Sequence, residues 1–191
     1  MSKPDGISFM KKGKDEYYTP KVMVDRLFPE FDTWADRFFF RQKRYPVVWC
    51  PFDTAESNFV KVFEQKGVEV VRSHISEPDG DFFTRTVPWY DIAISNPPFS
   101  RKMDVFKRLD SLGKPWAMLM NLMVLNYNDF NEYFSQQAER GRTFGVLLFT
   151  KKMSFDGNQA AFNTSYFCRD WIDGFKWLQM RENNVGKRFE G

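Results

Sequence analysis

The chain has 191 residues and a mass of 22.8 kDa, and 42% of its residues are hydrophobic. This suits one domain with a real core and excludes a globally disordered chain. Lysine and arginine exceed aspartate and glutamate by only three, too few to announce nucleic acid, and the excess sits in residues 1–46. Two cysteines and one histidine exclude a disulfide framework and a Cys/His zinc cluster, and no run of eighteen apolar residues marks a membrane span.

Residues 1–14 are polar and Lys-rich and read as a flexible basic arm. Thr19-Pro20 has the form of an N-cap with proline at the first helical position. A helix through Val22, Met23, Leu27 and Phe28 is expected to stop near Pro29, and residues 31–44 to form a second helix. From Pro46 strands and helices alternate. Residues 47–50 form a buried strand. Phe59, Val60 and Phe63 share a helix face that ends at Gly67, and residues 68–71 and 91–95 are further strands. Ser100 is expected to cap a helix carrying Val105, Phe106, Leu109 and Leu112. Residues 116–120 are a strand, and Phe130, Tyr133, Phe134 and Ala138 mark a helix. Residues 144–150 and 165–169 form an antiparallel pair, and residues 181–191 are a polar tail. The domain thus occupies residues 15–180. The alternation predicts an α/β fold: a mostly parallel sheet with a C-terminal antiparallel strand and helices on both faces. Ligands bind such sheets beyond the carboxyl ends of the strands, so the informative residues follow Cys50, Val71, Ser95 and Met120.

The strongest local signal is a strand running directly into Asn96-Pro97-Pro98-Phe99. Two adjacent prolines have fixed φ and no backbone donors, so the loop is stiff and its carbonyls point away from any ladder. An amide side chain, an outward carbonyl and an aromatic ring are held together at a strand end. The Asn96 side-chain oxygen and the Pro97 carbonyl can each accept one N–H of an exocyclic amine while Phe99 stacks on the attached ring. Two such acceptors draw the amine lone pair out of conjugation and make it available for attack.

This arrangement resembles the catalytic motif of amino-group methyltransferases, above all the adenine-N6 DNA enzymes. The resemblance spans residues 15–170 and implies a Rossmann-like fold, S-adenosylmethionine as cofactor, and transfer of its methyl group to adenine N6 in DNA. Asp15-Glu16-Tyr17-Tyr18-Thr19-Pro20 resembles the segment that reaches over the cofactor in that family, with Tyr18, Thr19 and Pro20 at its methionine end. Cys50-Pro51-Phe52-Asp53 stands where the family has Asp-Pro-Phe-x-Gly-x-Gly. Pro51 and Phe52 match, Cys50 replaces the leading acid, and no glycine occurs between Gly13 and Gly67. Asp53 is the substitute acid for the methionine ammonium. His74 stands where the family has an acid for the ribose. Asp81 would accept from the cofactor's adenine amine, and Phe82 would pack on its ring. Arg101 and Lys102 are candidate phosphate contacts, as are Lys151 and Lys152. No metal is expected.

The loop sequence, with Ser73-His74-Ile75, resembles a phage and bacterial branch of adenine methyltransferases related to restriction-modification enzymes. That implies a soluble protein of the bacterial host's cytoplasm. The target adenine is expected to be flipped from a duplex or presented single-stranded. Target recognition is expected from loops around the pocket or from a partner subunit, because neither end carries a recognisable reading module. The motif also serves other planar amines, so RNA adenine, cytosine or a protein glutamine remain alternatives. So does a non-catalytic descendant that binds DNA or protein.

Overall fold

The computed structural model describes residues 19–152, 154–155, 158–159 and 163–180. The basic arm, Tyr18 and the polar tail lie outside these. In chain order the elements are α1 (Lys21–Gln42), β1 (Val48–Cys50), α2 (Asn58–Gln65), β2 (Val70–Arg72), β3 (Ile92–Ser95) and α3 (Lys102–Ser111). They continue with β4 (Trp116–Asn121), α4 (Asn128–Glu139), β5 (Phe144–Phe149), β6 (Ser154–Phe155), β7 (Asn158–Gln159), β8 (Thr164–Arg169) and β9 (Gly174–Leu178). Short 3₁₀ turns at Phe99–Arg101 and Leu122–Asn126 follow the ends of β3 and β4.

Seven strands form one sheet in the order β2-β1-β3-β4-β8-β5-β9. Strands β2, β1, β3 and β4 are mutually parallel, with Trp49 opposite Val71 and Ala93, and Ser95 opposite Met118. Only β8 runs against its neighbours, pairing antiparallel with β4 and β5, while β9 adds parallel to β5. β6 and β7 form a separate two-stranded hairpin.

Side chains alternate across the sheet, and each face has its own core. On one face Val48, Cys50, Ile92, Ile94, Leu119 and Tyr166 pack beneath α1 and α2. On the other Trp49, Ala93, Trp116, Met118 and Phe167 pack beneath α3 and α4. The aromatic richness of the sequence goes mainly into these layers. Phe130 and Phe134 stack at 4.2 Å between centroids, and Phe106 lies 5.2 Å from Trp116. The expected α/β architecture, with helices on both faces and a C-terminal antiparallel strand, is the one observed.

Several expected boundaries shift. Residues 21–42 are one helix, not two, and Pro29 lies inside it. The apolar stripe Met23, Val24, Leu27, Phe31, Trp34, Ala35 continues past the proline onto the same core, and Pro29 itself is exposed, so its missing donor faces solvent. Thr19 is not the cap: Pro20 holds that position, with no side-chain capping bond. Ser100 is not a cap either, because Arg101 precedes α3 and Ser100 sits inside the 3₁₀ turn. β2 begins at Val70, and β9 was not expected from sequence.

At the amino end of β4, Arg169 is fully buried and binds Asp110 through Nε at 3.1 Å and Nη2 at 3.2 Å. Trp116 Nε1 and Tyr133 Oη also donate to Asp110. This network pins α3, α4, β4 and β8 together, at the end of the sheet away from Asn96.

Candidate functional site

The chain leaves β1 through α2 to β2 on one side, and β3 lies on the other side of β1. The carboxyl ends of β1 and β3 therefore flank a topological switch point, where open α/β sheets bind ligands. Asn96-Pro97-Pro98-Phe99 starts immediately after β3 and the 51–57 loop immediately after β1, so the sequence candidates converge here. Asn96 is half-buried, Pro97 is buried, and Phe99 packs part-buried against the α3/α4 core.

The β1 loop is anchored on several sides. The Asp53 amide donates to Ser73 O at 3.0 Å and the Ser73 amide to Cys50 O at 3.1 Å, so the chain beyond β2 is zipped to it. The Asp53 carboxyl is 7% exposed. Its Oδ1 accepts from the Ser57 hydroxyl and its Oδ2 from the Ser95 hydroxyl, the residue directly before Asn96. Burial pushes this carboxyl up to about 6, and the two serine bonds and His74 pull against that rise. Ser57 also caps α2 by accepting from the Phe59 amide at 3.2 Å. Asn58 Nδ2 donates to Thr19 O at 2.8 Å, which seats the Thr19-Pro20 segment beside the start of α2.

Other candidates are placed differently. The Cys50 side chain is buried in the α1/α2 core, where burial pushes its thiol up; toward the site it offers backbone only. Phe82 is 3% exposed and packed on Trp49, Phe52 and Phe83, so the half-buried ring of that pair is Phe83. Asp81 Oδ1 accepts from the Phe83 amide at 2.9 Å and shapes the turn. His74 Nδ1 accepts from the Ser76 amide at 3.2 Å. The Arg101 guanidinium lies 3.6 Å above the Phe83 ring and pairs with Asp104, while Lys102 Nζ lies 4.1 Å above the Tyr127 ring. Both cations therefore sit at the mouth next to the Asn96 loop, each already held by an aromatic ring.

The sequence reading missed three participants. Ser95 was passed over as a strand terminus, although a small hydroxyl closing Ile-Ala-Ile was its signal. Exposed Tyr127 follows β4 beside Lys102. Gly80 matters because a Cβ there would lie 1.8 Å from His74 O. The glycine of this site thus stands in the β2 loop and not the β1 loop. A hollow of about 450 Å³ edged by Arg44, Tyr45, Pro46, Glu69 and Trp89 lies at the amino ends of the strands, away from these residues.

No family model matches the chain, and no curated protein matches it significantly in sequence. Among solved structures, its fold is similar to a modification subunit assigned to a type I restriction enzyme from Vibrio vulnificus YJ016, at a TM-score of 0.50 and 11% identity. The match covers 91% of this chain and 49% of that one, so this chain spans about half the length of the structure it matches. What the two share is an α/β fold. At this identity the match speaks for the fold alone, and the site must carry its own chemistry. No helix among the described residues is long and apolar enough to cross a membrane.

Proposed function

We propose that this chain is an S-adenosylmethionine-dependent methyltransferase that modifies N6 of adenine in DNA. The observation that carries the reading is Asn96-Pro97-Pro98-Phe99 at the carboxyl end of β3, beside the β1 loop, in a sheet of methyltransferase type. The name of the Vibrio subunit supports DNA as the substrate, with a partner subunit as a source of target recognition.

The residues around the switch point fit the cofactor in kind. Thr19 and Pro20 border the start of α2, Pro51 belongs to the β1 loop, and His74 follows β2 with Nδ1 turned to the Ser76 amide. Asp81 and the Phe82-Phe83 pair close the far side. The cofactor supplies a methyl group on a sulfonium, electrophilic without further activation. The chain's work is orientation and polarisation. Asn96 Oδ1 and the Pro97 carbonyl accept the two N–H groups of the target amine, and Phe99 holds the base. Arg101 and Lys102 meet the phosphates at the mouth, and a duplex must deliver its adenine by flipping. Two tests apply: calorimetric titration with S-adenosylmethionine, and incubation with adenine-containing DNA followed by nucleoside analysis. The reading expects binding and N6-methyladenine. Methyl groups found only in RNA, on cytosine or on protein would move the target, and no cofactor binding would defeat the reading.

A further inference from the structure

We propose that Asp53 is a positioning residue that latches the end of β3 to the loop after β1 and the cap of α2, and so sets Asn96 against the cofactor side of the cleft. The inference rests on the methyltransferase reading for its functional meaning and on hydrogen bonds for its existence. A carboxylate only accepts, so Ser57 and Ser95 must both donate to it. Ser57 stays tied to the Phe59 amide, which fixes the first turn of α2, and the Asp53 amide is tied to Ser73 O ahead of His74. Ser95 is one peptide from Asn96. A single buried residue therefore joins three segments: its carboxyl ties the loop after β1 to the end of β3, and its backbone amide holds the segment after β2. With both oxygens accepting hydroxyls and the residue nearly sealed from solvent, Asp53 acts through its neighbours.

The titratable groups facing it are His74 after β2, Cys50 on β1 and Tyr166 on β8. Protonation or an amide would put a donor where two donors already point, so one serine hydroxyl would have to rotate and accept, exchanging a charge-assisted bond for a weaker neutral one. The latch should therefore weaken as the carboxyl takes up its proton near pH 6.

The test uses the full chain, Asp53→Asn and Ser95→Ala. The serine variant leaves the carboxyl in place and guards against a folding artefact of the first. Methyl transfer to DNA is measured against cofactor concentration and against pH, with cofactor affinity measured separately by calorimetry. Each variant should lower kcat by about 10-fold to 100-fold, as displaced catalytic groups do, with affinity changed by less than about 3-fold. The wild-type kcat should fall below about pH 6, and Asp53→Asn should lose that inflection. Hydrogen exchange, which needs no activity, should rise at the amides of Asn96 and residues 99–101 in both variants. A large loss of cofactor affinity at unchanged kcat would overturn the proposal in favour of direct contact. Unchanged exchange at Asn96 and residues 99–101 would overturn it whatever the activity. Absence of methyl transfer by the wild type would instead strike the proposed function, and exchange would still decide the latch.

Discussion

Asp53→Asn should change how stability depends on pH. The carboxyl stands at about 6 in the fold, against an ordinary value of 3.8. Burial raises it, and the serine bonds and His74 only partly offset that rise. A folded value above the unfolded one means that the native state holds its proton more tightly. The stability from the neutral form is complete below the unfolded value and is lost as pH rises through the folded one. About two units correspond to ~3 kcal/mol at full extent, a large share of the ~5–15 kcal/mol that a domain has. Asparagine is close to isosteric and does not titrate, and a rotated serine hydroxyl can accept from its amide. Relative to wild type, the variant should therefore gain ~2 kcal/mol between about pH 4.5 and 7.5, the part of the transition inside that window. Urea unfolding followed by tryptophan fluorescence reads this directly. Stability curves that stay parallel across the window would refute the buried, charge-penalised carboxyl.

Phe99→Tyr should retain activity, whereas Phe99→Ala should lose ~1–3 kcal/mol of base holding, read as weaker DNA binding and slower transfer; equal behaviour of the two would make Phe99 a core residue. Asp110→Ala leaves fully buried Arg169 without its carboxylate and strips acceptors from Trp116 and Tyr133. It should lower unfolding stability by ~3–5 kcal/mol, and a loss under about 1 kcal/mol would contradict the network's role. Gly80→Ala drives a methyl into His74 O; overpacking of ~1–3 kcal/mol should appear as a cofactor affinity weaker by roughly 5-fold to 150-fold, and unchanged affinity would remove the 74–80 loop from the site.

The fold was legible because its strands are short apolar runs punctuated by glycines at helix ends. Gly67, Gly113 and Gly141 all adopt positive φ just past α2, α3 and α4. Pro29 misled because a local rule, proline ends helices, lost to a tertiary one, a continuous buried stripe on α1. β9 was hidden because four of its five residues are exposed, Phe175 and Trp177 among them, so it carries little of the burial pattern that marks a strand. In the site, Asn96-Pro97-Pro98-Phe99 was readable because proline stiffness and a strand end are local facts. The hydrogen-bond partners of Asp53 were not, since Ser95 lies 42 residues away and the contact exists only once β1 and β3 are neighbours. Phe82 and Phe83 were indistinguishable in sequence, and only packing decides which ring is buried.

The central claim is that Asn96 polarises a target amine for direct methyl transfer. It is tested by measuring transfer of labelled methyl from S-adenosylmethionine to DNA, with digestion to nucleosides, for the wild type and Asn96→Ala. The account predicts N6-methyladenine from the wild type and a rate lower by about 100-fold or more in the variant, the loss typical of one preorganised polar group, with cofactor affinity nearly unchanged. Near-equal rates from the two proteins, or no methylated adenine from the wild type, would contradict it.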